Sequence, residues 1–290
     1  MPRRSLAAAA SPELRAHGFG EPKLVGAEGI VAVGGAFTVE RLLVAYRHGI
    51  FPWDGDPVRW CCPDPRSIFW KVRLPRRLGK SVRRHQLRVT FDEDFEGVIR
   101  ACAEHHRSEK GTWITPQFIA GYVALHAAGH AHSVEVWQGD RLVGGLYGVQ
   151  LNGMFAGESM FHRVTDASKV AFAALVHQLQ AVGTVLFDCQ AINLHTHRLG
   201  AALVARADYL RMLAFALGVA TRGDGERWPR SGHCDLRLSG LKDAVPDQPG
   251  DAAGTRRAGL QPGRLEAPAA PERRLRFWSL ETESGDAGAE

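Results

Sequence analysis

No stretch of this chain approaches the roughly 20 consecutive apolar residues that a membrane-spanning helix needs, so no membrane role is expected. Cysteine is scarce. Cys61, Cys62, Cys102, Cys189 and Cys234 make five, an odd number without the spacing of a disulfide framework, which points to a reducing cytoplasm. Histidines pair at His105-His106, His130-x-His132 and His195-x-His197, but cysteines and carboxylates at zinc-site spacing are missing beside them, so no metal is expected. Neither Gly34-Gly35 nor Gly144-Gly145 opens a dinucleotide fingerprint, because no Gly-x-Gly-x-x-Gly leads from a strand into a helix. The start, Met1-Pro2-Arg3-Arg4 and an alanine run, lacks the apolar core and cleavage pattern of a targeting peptide and reads as a loose tail over residues 1–23.

Basic residues are in surplus, giving a net charge of +5 and an isoelectric point near 9.1. That suits an anionic partner without identifying one. The surplus is densest between Lys71 and Arg88, where Arg76, Arg77, Lys80, Arg83 and Arg84 surround Leu74, Leu78 and Val82, spaced to anchor one side of a short helix. The other side is either a phosphate-binding face or a solvated one.

Local signals divide the 290 residues into recognisable elements. Thr38 caps a helix that buries Leu42, Leu43 and Tyr46 and closes at His48-Gly49. Around it, from Gly29 to Trp70, glycine, proline and aromatics are dense, and Trp53 and Trp60 either wall a pocket or fill core. Asp92 to Cys102 reads as a helix on Phe95, Val98 and Ile99, followed by a polar loop through Glu109-Lys110-Gly111. Thr115-Pro116 starts another, burying Phe118, Ile119, Tyr122 and Leu125 and ending at Gly129. Strands are expected at Ser133–Trp137, Leu142–Leu151 and Met154–Ser159, the last two joined by the hairpin turn Asn152-Gly153. Thr165 or Asp166 caps a helix on Ala171, Phe172, Leu175, Leu179 and Val182, Gly183 stops it, and Thr184–Asp188 returns as a strand. A meander, a crossover helix and a further strand give an α+β fold with a mixed sheet. Beyond residue 220, Gly, Ala, Pro, Asp and Arg dominate without apolar periodicity, so residues 221–290 are expected to be mostly disordered, with Phe277-Trp278-Ser279-Leu280 as a conspicuous apolar knot.

Two carboxylates stand out. Glu158 interrupts an apolar stretch, between Met154, Phe155, Met160 and Phe161, where a charge is costly unless something cationic or hydrogen-bonding meets it; it is a surface residue or part of a lined cleft. Asp188 and Gln190 end the following strand, a place where sites open, and offer a base and an amide, or a loop cap. Cys189 between them has no neighbouring histidine and reads as structural.

Taken together, Arg47-His48-Gly49-Ile50-Phe51-Pro52-Trp53, Pro63-Asp64-Pro65-Arg66, Gly111-Thr112-Trp113-Ile114-Thr115, the Gly129–Trp137 run, Leu142–Gly148, Gly157-Glu158-Ser159-Met160-Phe161, Ala167-Ser168-Lys169 and Asp188-Cys189-Gln190 resemble, in order, the bacterial leucyl/phenylalanyl-tRNA-protein transferase family. The sequence departs from the family pattern at Ala36, Cys61, Cys62, Arg198, Leu203 and Ala205.

The resemblance implies a small N-terminal domain, residues 24–70, followed by an N-acetyltransferase-like domain over 71–220. It implies transfer of leucine or phenylalanine, possibly methionine, from aminoacyl-tRNA to an N-terminal Arg or Lys, marking the acceptor for N-degron degradation. By similarity Asp188, Gln190 and Glu158 are catalytic; Trp53, Trp113, Leu146, Phe155, Ser168, Leu175 and Phe187 bind substrate; and Arg76, Arg77, Lys80, Arg83 and Arg84 meet the tRNA. No cofactor is implied, and a cytoplasmic monomer is expected. An acyl- or aminoacyltransferase with another donor or acceptor is the alternative, though no pyrophosphate-binding loop for coenzyme A precedes the helix at Asp166.

Overall fold

The computed structural model describes residues 10–53, 57–75, 78–109, 112–219 and 277–281. Within the segment expected as a loose tail, Pro12–Ala16 forms helix α1, capped by the Ser11 hydroxyl, which accepts from the Leu14 amide at 3.2 Å. Leu14 and Phe19 are buried, and Phe19 meets Trp60 edge-on at 5.2 Å. Two isolated apolar residues carry no periodicity, so only their distant partner reveals that they are core. A three-stranded antiparallel sheet follows, β1 (Ile30–Val33), β3 (Arg59–Cys61) and β2 (Phe51–Pro52) in that spatial order. Helix α2 (Val39–Arg47) runs between β1 and β2. The Thr38 hydroxyl accepts from the Arg41 amide, and Gly49 takes the left-handed conformation (φ +73°) that ends the helix, as its residue type foretold.

The second, larger sheet has seven strands in the order β11-β4-β10-β9-β8-β7-β6. They are β4 (Arg66–Phe69), β6 (Leu87–Phe91), β7 (Ala131–Gln138), β8 (Arg141–Leu151), β9 (Met154–His162), β10 (Leu186–Gln190) and β11 (Ala201–Val204). Only β9 and β10 run parallel; the remaining neighbours are antiparallel, so the sheet is mixed. β4 joins this sheet although it lies before residue 70. All its residues are buried, and a short strand without alternation beside prolines leaves no pattern to read.

Helices cover both faces. Successive residues on a strand point to opposite sides, and Gly144 and Gly145 use this: a Cβ on Gly144 would lie 2.5 Å from that of Ala167, and one on Gly145 3.2 Å from Val98. Gly144 therefore lets α6 (Ala167–Val182) close on one face, while α4 (Phe95–Glu109) lies on the other. Helix α4 runs past Cys102 to Glu109, where a polar loop was expected; Ala103 is buried and Glu104 exposed, so the helix keeps one side on the core beyond Cys102. Asp166 stands at the N-cap of α6 at φ +66° but makes no capping bond; its carboxylate binds Lys169 Nζ at 2.7 Å instead. Short α3 (Leu78–His85), α5 (Pro116–Ala127), α7 (Leu194–Arg198) and α8 (Arg206–Gly218) complete the helices.

Of residues 221–290, those numbered 277–281 are described. Ser279–Glu281 forms β12, parallel to β5 (Lys71–Arg73), and Trp278 is buried.

Candidate active site

The site is made by two irregularities in adjacent strands. Between β8 and β9, Tyr147 pairs with Ser159 and Gly148 with Gly157, so Glu158 is one residue too many. Between β10 and β4, Asp188 pairs with Ile68 and Gln190 with Ser67, again two steps against one, and Gln190 sits at φ +64°. Such bulges re-aim side chains. Here they bring Gln190 Nε2 to Glu158 Oε1, donating at 2.7 Å.

Phenols from the N-terminal region and from α5 complete the nest. Tyr46 Oη donates to Glu158 Oε1 at 2.6 Å, Tyr122 Oη reaches Oε2 at 3.4 Å, and the two hydroxyls are 2.5 Å apart. One carboxylate oxygen is thus doubly bound and the other has a single long contact. Burial, reinforced by the nearby Asp188 charge and opposed by the Tyr46 and Gln190 hydrogen bonds, pushes the Glu158 carboxyl up to about 7. Burial, followed by the Glu158 charge, holds both phenols well above their ordinary range, so they stay donors.

Asp188 faces away from this group into dry interior. Its Oδ1 accepts from Arg66 Nε at 2.9 Å and from the Gln190 amide at 2.8 Å, while Oδ2 accepts from Arg66 Nη2 at 2.6 Å and Tyr209 Oη at 2.9 Å. With Arg66 and Asp188 both 1% exposed at the side chain, this is a buried, bidentate ion pair with its acceptor positions filled. It fixes the backbone of Gln190. Cys189 lines the cleft, but burial, opposed by its Ser67 hydroxyl contact at 3.1 Å, pushes the thiol up to about 12, away from the thiolate a nucleophile needs.

Glu158 and Gln190 open on a cleft of about 900 Å³. One end is apolar, formed by Leu146, Phe172, Leu175, Phe187 and Phe69, with Ser168 at its edge; Phe69 and Phe187 meet at 4.4 Å. Trp53, Trp113 and His106 also line it; His106 meets Trp113 at 4.4 Å with the rings tilted by 36°, and its Nε2 meets Ser159 Oγ at 2.8 Å. Trp53, Trp113, Leu146, Ser168, Leu175, Phe187, Glu158 and Gln190 thus share one cavity. Phe155 does not line it; fully buried, it packs behind Phe187 at 5.8 Å. Asp188 lies outside the lining as well.

Tyr46, Tyr122, Arg66 and Phe172 belong to the site without having been assigned to it from sequence. Phe172 had a usable signal, since Ser168, Phe172 and Leu175 fall at i, i+4 and i+7 on one helix face. The tyrosines gave none, being 76 residues apart.

Lys80, Arg83 and Arg84 are exposed on α3, whose Ser81 hydroxyl donates to Thr165 O at 3.4 Å. Helix α3 therefore packs beside the start of α6, the helix that carries Ser168, and leaves these three basic side chains exposed. Arg76 and Arg77 lie outside the described residues. Of the paired histidines, His132 Nδ1 meets Asp92 Oδ2 at 2.8 Å, and His195 Nε2 approaches Met160 Sδ at 3.2 Å. Among the described residues no helix is long and apolar enough to cross a membrane.

Residues 68–214 match the family described as leucyl/phenylalanyl-tRNA protein transferase, and residues 35–64 match that family's N-terminal domain. Similar proteins include the leucyl/phenylalanyl-tRNA–protein transferase of Pseudomonas fluorescens (strain SBW25), 50% identical over 189 residues, 64% of this chain and 84% of the relative. That of Solidesulfovibrio magneticus is 51% identical over 203 residues, covering 68% and 82%. That of Anaeromyxobacter sp. (strain K) is 49% identical over 220 residues, covering 74% and 93%.

Proposed function

Because this chain belongs to the leucyl/phenylalanyl-tRNA protein transferase family, we propose that it moves leucine or phenylalanine, and also methionine, from aminoacyl-tRNA to proteins that begin with arginine or lysine. The observation that carries this reading is Glu158. A carboxylate with one oxygen held by Tyr46 and Gln190 and the other scarcely occupied, set at the mouth of an apolar pocket, suits a cationic peptide end beside a hydrophobic aminoacyl group.

The donor is an activated ester, so positioning supplies much of the acceleration. Its side chain enters the end formed by Leu146, Phe172, Leu175 and Phe187, and Trp53 and Trp113 flank the terminal adenosine and the acceptor. Glu158 Oε2 holds the acceptor's cationic side chain. With one N–H of its side-chain amide on Glu158, Gln190 offers its amide oxygen to accept from the attacking amine. An α-amine with a pKa of about 8 is partly neutral near pH 7, so the nitrogen attacks the ester carbonyl with modest help. The C–N bond forms, the ester C–O bond breaks, and the proton lost by nitrogen ends on the ribose oxygen.

Asp188 acts here as a positioning residue. Its acceptor sites are filled, and it works through the Gln190 backbone. Lys80, Arg83 and Arg84, continued by Arg76 and Arg77, follow the acceptor stem. A cytoplasmic monomer that marks its acceptors for N-degron proteolysis completes the reading, with a small N-terminal domain and a main domain that begins at β4 rather than after residue 70.

The test is transfer of label from radiolabelled Leu-tRNA or Phe-tRNA to a peptide beginning with Arg. Label on that peptide, and none on the same peptide beginning with Ala, is the expected result. An unlabelled Arg peptide beside a working control transferase overturns the reading.

A further inference from the structure

We propose that residues 277–281 form a strap behind the aminoacyl pocket and that Trp278 sets which side chain the pocket prefers by holding Phe187 in place. The inference rests on the transferase reading for the pocket's occupant; the strap itself is read from contacts. Trp278 is 4% exposed, lies outside both family-matched spans, and does not line the cleft. It meets Phe187 edge-on at 6.0 Å. Phe187 does line the cleft, so the indole supports one pocket wall from outside the cavity.

Three fastenings flank the two strands that supply the pocket's touching rings. The Phe277 amide donates to Val185 O at 2.8 Å and Trp278 Nε1 to Thr184 O at 3.2 Å, just before Phe187 on β10. The Ser279 amide donates to Trp70 O at 2.9 Å, one residue past Phe69 on β4. Leu280 then pairs with Val72 on β5, and Phe277 packs on Phe215 of α8 at 5.5 Å. Phe69 and Phe187 stand 4.4 Å apart, and Phe172 and Phe155 each lie 5.8 Å from Phe187. Phe187 is therefore confined by three phenylalanines and the Trp278 indole, and the indole is the member that belongs to the strap. Close-packed interiors transmit the loss of one neighbour as a void into which the next ring can shift. Removing the indole lets Phe187 retreat, which deepens the pocket and favours the larger phenylalanyl group over leucyl.

The experiment compares full-length wild type, Trp278→Ala and Trp278→Phe. Transfer to an Arg peptide is measured from Phe-tRNA and from Leu-tRNA, together with melting temperature and calorimetric binding of amide-linked phenylalanyl-adenosine and leucyl-adenosine. In Trp278→Ala the ratio of kcat/KM for Phe over Leu is expected to rise about 10-fold, the scale of a hydrophobic pocket altered by a small group. The binding ratio should move the same way. Trp278→Phe keeps a ring behind Phe187 and should stay within about twofold of wild type. A lower melting temperature with both ratios unchanged assigns Trp278 to stability alone and overturns the proposal. If wild type labels no peptide while a control transferase does, the transferase reading falls, and the binding ratio decides the strap: a shift in Trp278→Ala upholds it, equal ratios or no binding by any variant overturn it.

Discussion

Asp188 and Glu158 are carboxylates on neighbouring parallel strands, both largely withdrawn from water, and their surroundings divide them. Around Asp188 the donors equal the acceptor positions: two arms of Arg66, the Tyr209 hydroxyl and the Gln190 amide. Around Glu158 the donors are phenols and one amide, no cation is within bonding distance among the described residues, and one oxygen is left nearly unused. A carboxylate already matched to a fixed cation can hold a backbone in place but has nothing left to offer a substrate. One that is half-buried, hydrogen-bonded and unmatched keeps its affinity for an arriving cation, and that affinity shows as a raised proton affinity. The pair shows structure and chemistry separated by partner type over a few ångströms.

Removing the Asp188 carboxylate tests the structural half. Asp188→Ala strands a buried Arg66 and is expected to cost about 3–5 kcal/mol, seen as a fall of roughly 10 °C in melting temperature by calorimetry. An unchanged melting temperature would collapse the comparison, since Asp188 would then be no more structural than Glu158. The chemical half is tested by Glu158→Gln. Acceptor kcat/KM should fall roughly 100-fold, the size of a lost charge-assisted contact of about 2–3 kcal/mol, with tRNA affinity intact.

The same variant has a pH signature. A carboxyl raised from 4.5 to about 7 holds its proton more tightly folded than unfolded, so wild type loses stability as pH rises through that window. Thermal melts across that window should flatten in Glu158→Gln, and the acceptor KM, which needs the carboxylate, should rise below about pH 7 in wild type alone. Arg83→Ala supplies a charge remote from both carboxylates: tRNA affinity should weaken in a salt-dependent way, with the slope of log affinity against log salt reduced by about 1 in filter binding. The smallest effect is expected from Tyr46→Phe. Losing that hydrogen bond raises the Glu158 proton affinity further and moves the KM inflection to higher pH without abolishing transfer.

The elements that were legible have local causes. Thr38 and Thr115-Pro116 begin helices, Asn152 at φ +48° turns the β8–β9 hairpin, and Gly183 at φ +82° ends α6, each by its own stereochemistry. What stayed hidden has distant causes. The Pro12–Ala16 helix is held by Leu14 and Phe19 against the N-terminal core, α4 continues because its far side is packed, and β4 is a fully buried strand with no alternation. The apolar end of the cleft was foreshadowed by motif residues, yet Phe155 turned out to stand behind Phe187 and Phe172 in front, a matter of which face of each element meets the cavity.

By itself the sequence determined the helix starts and stops, the hairpin, the apolar faces and the residue types of the site, because propensity, capping and periodicity act within a few positions along the chain. Only the tertiary structure decided what those residues do. Tyr46 comes 112 residues before the Glu158 it holds, and Arg66 comes 122 before Asp188. The bulges that turn Glu158 and Gln190 toward each other exist only where four strands align. Partner identity across such distances, which separates the two carboxylates, is set by packing and has no trace in local order.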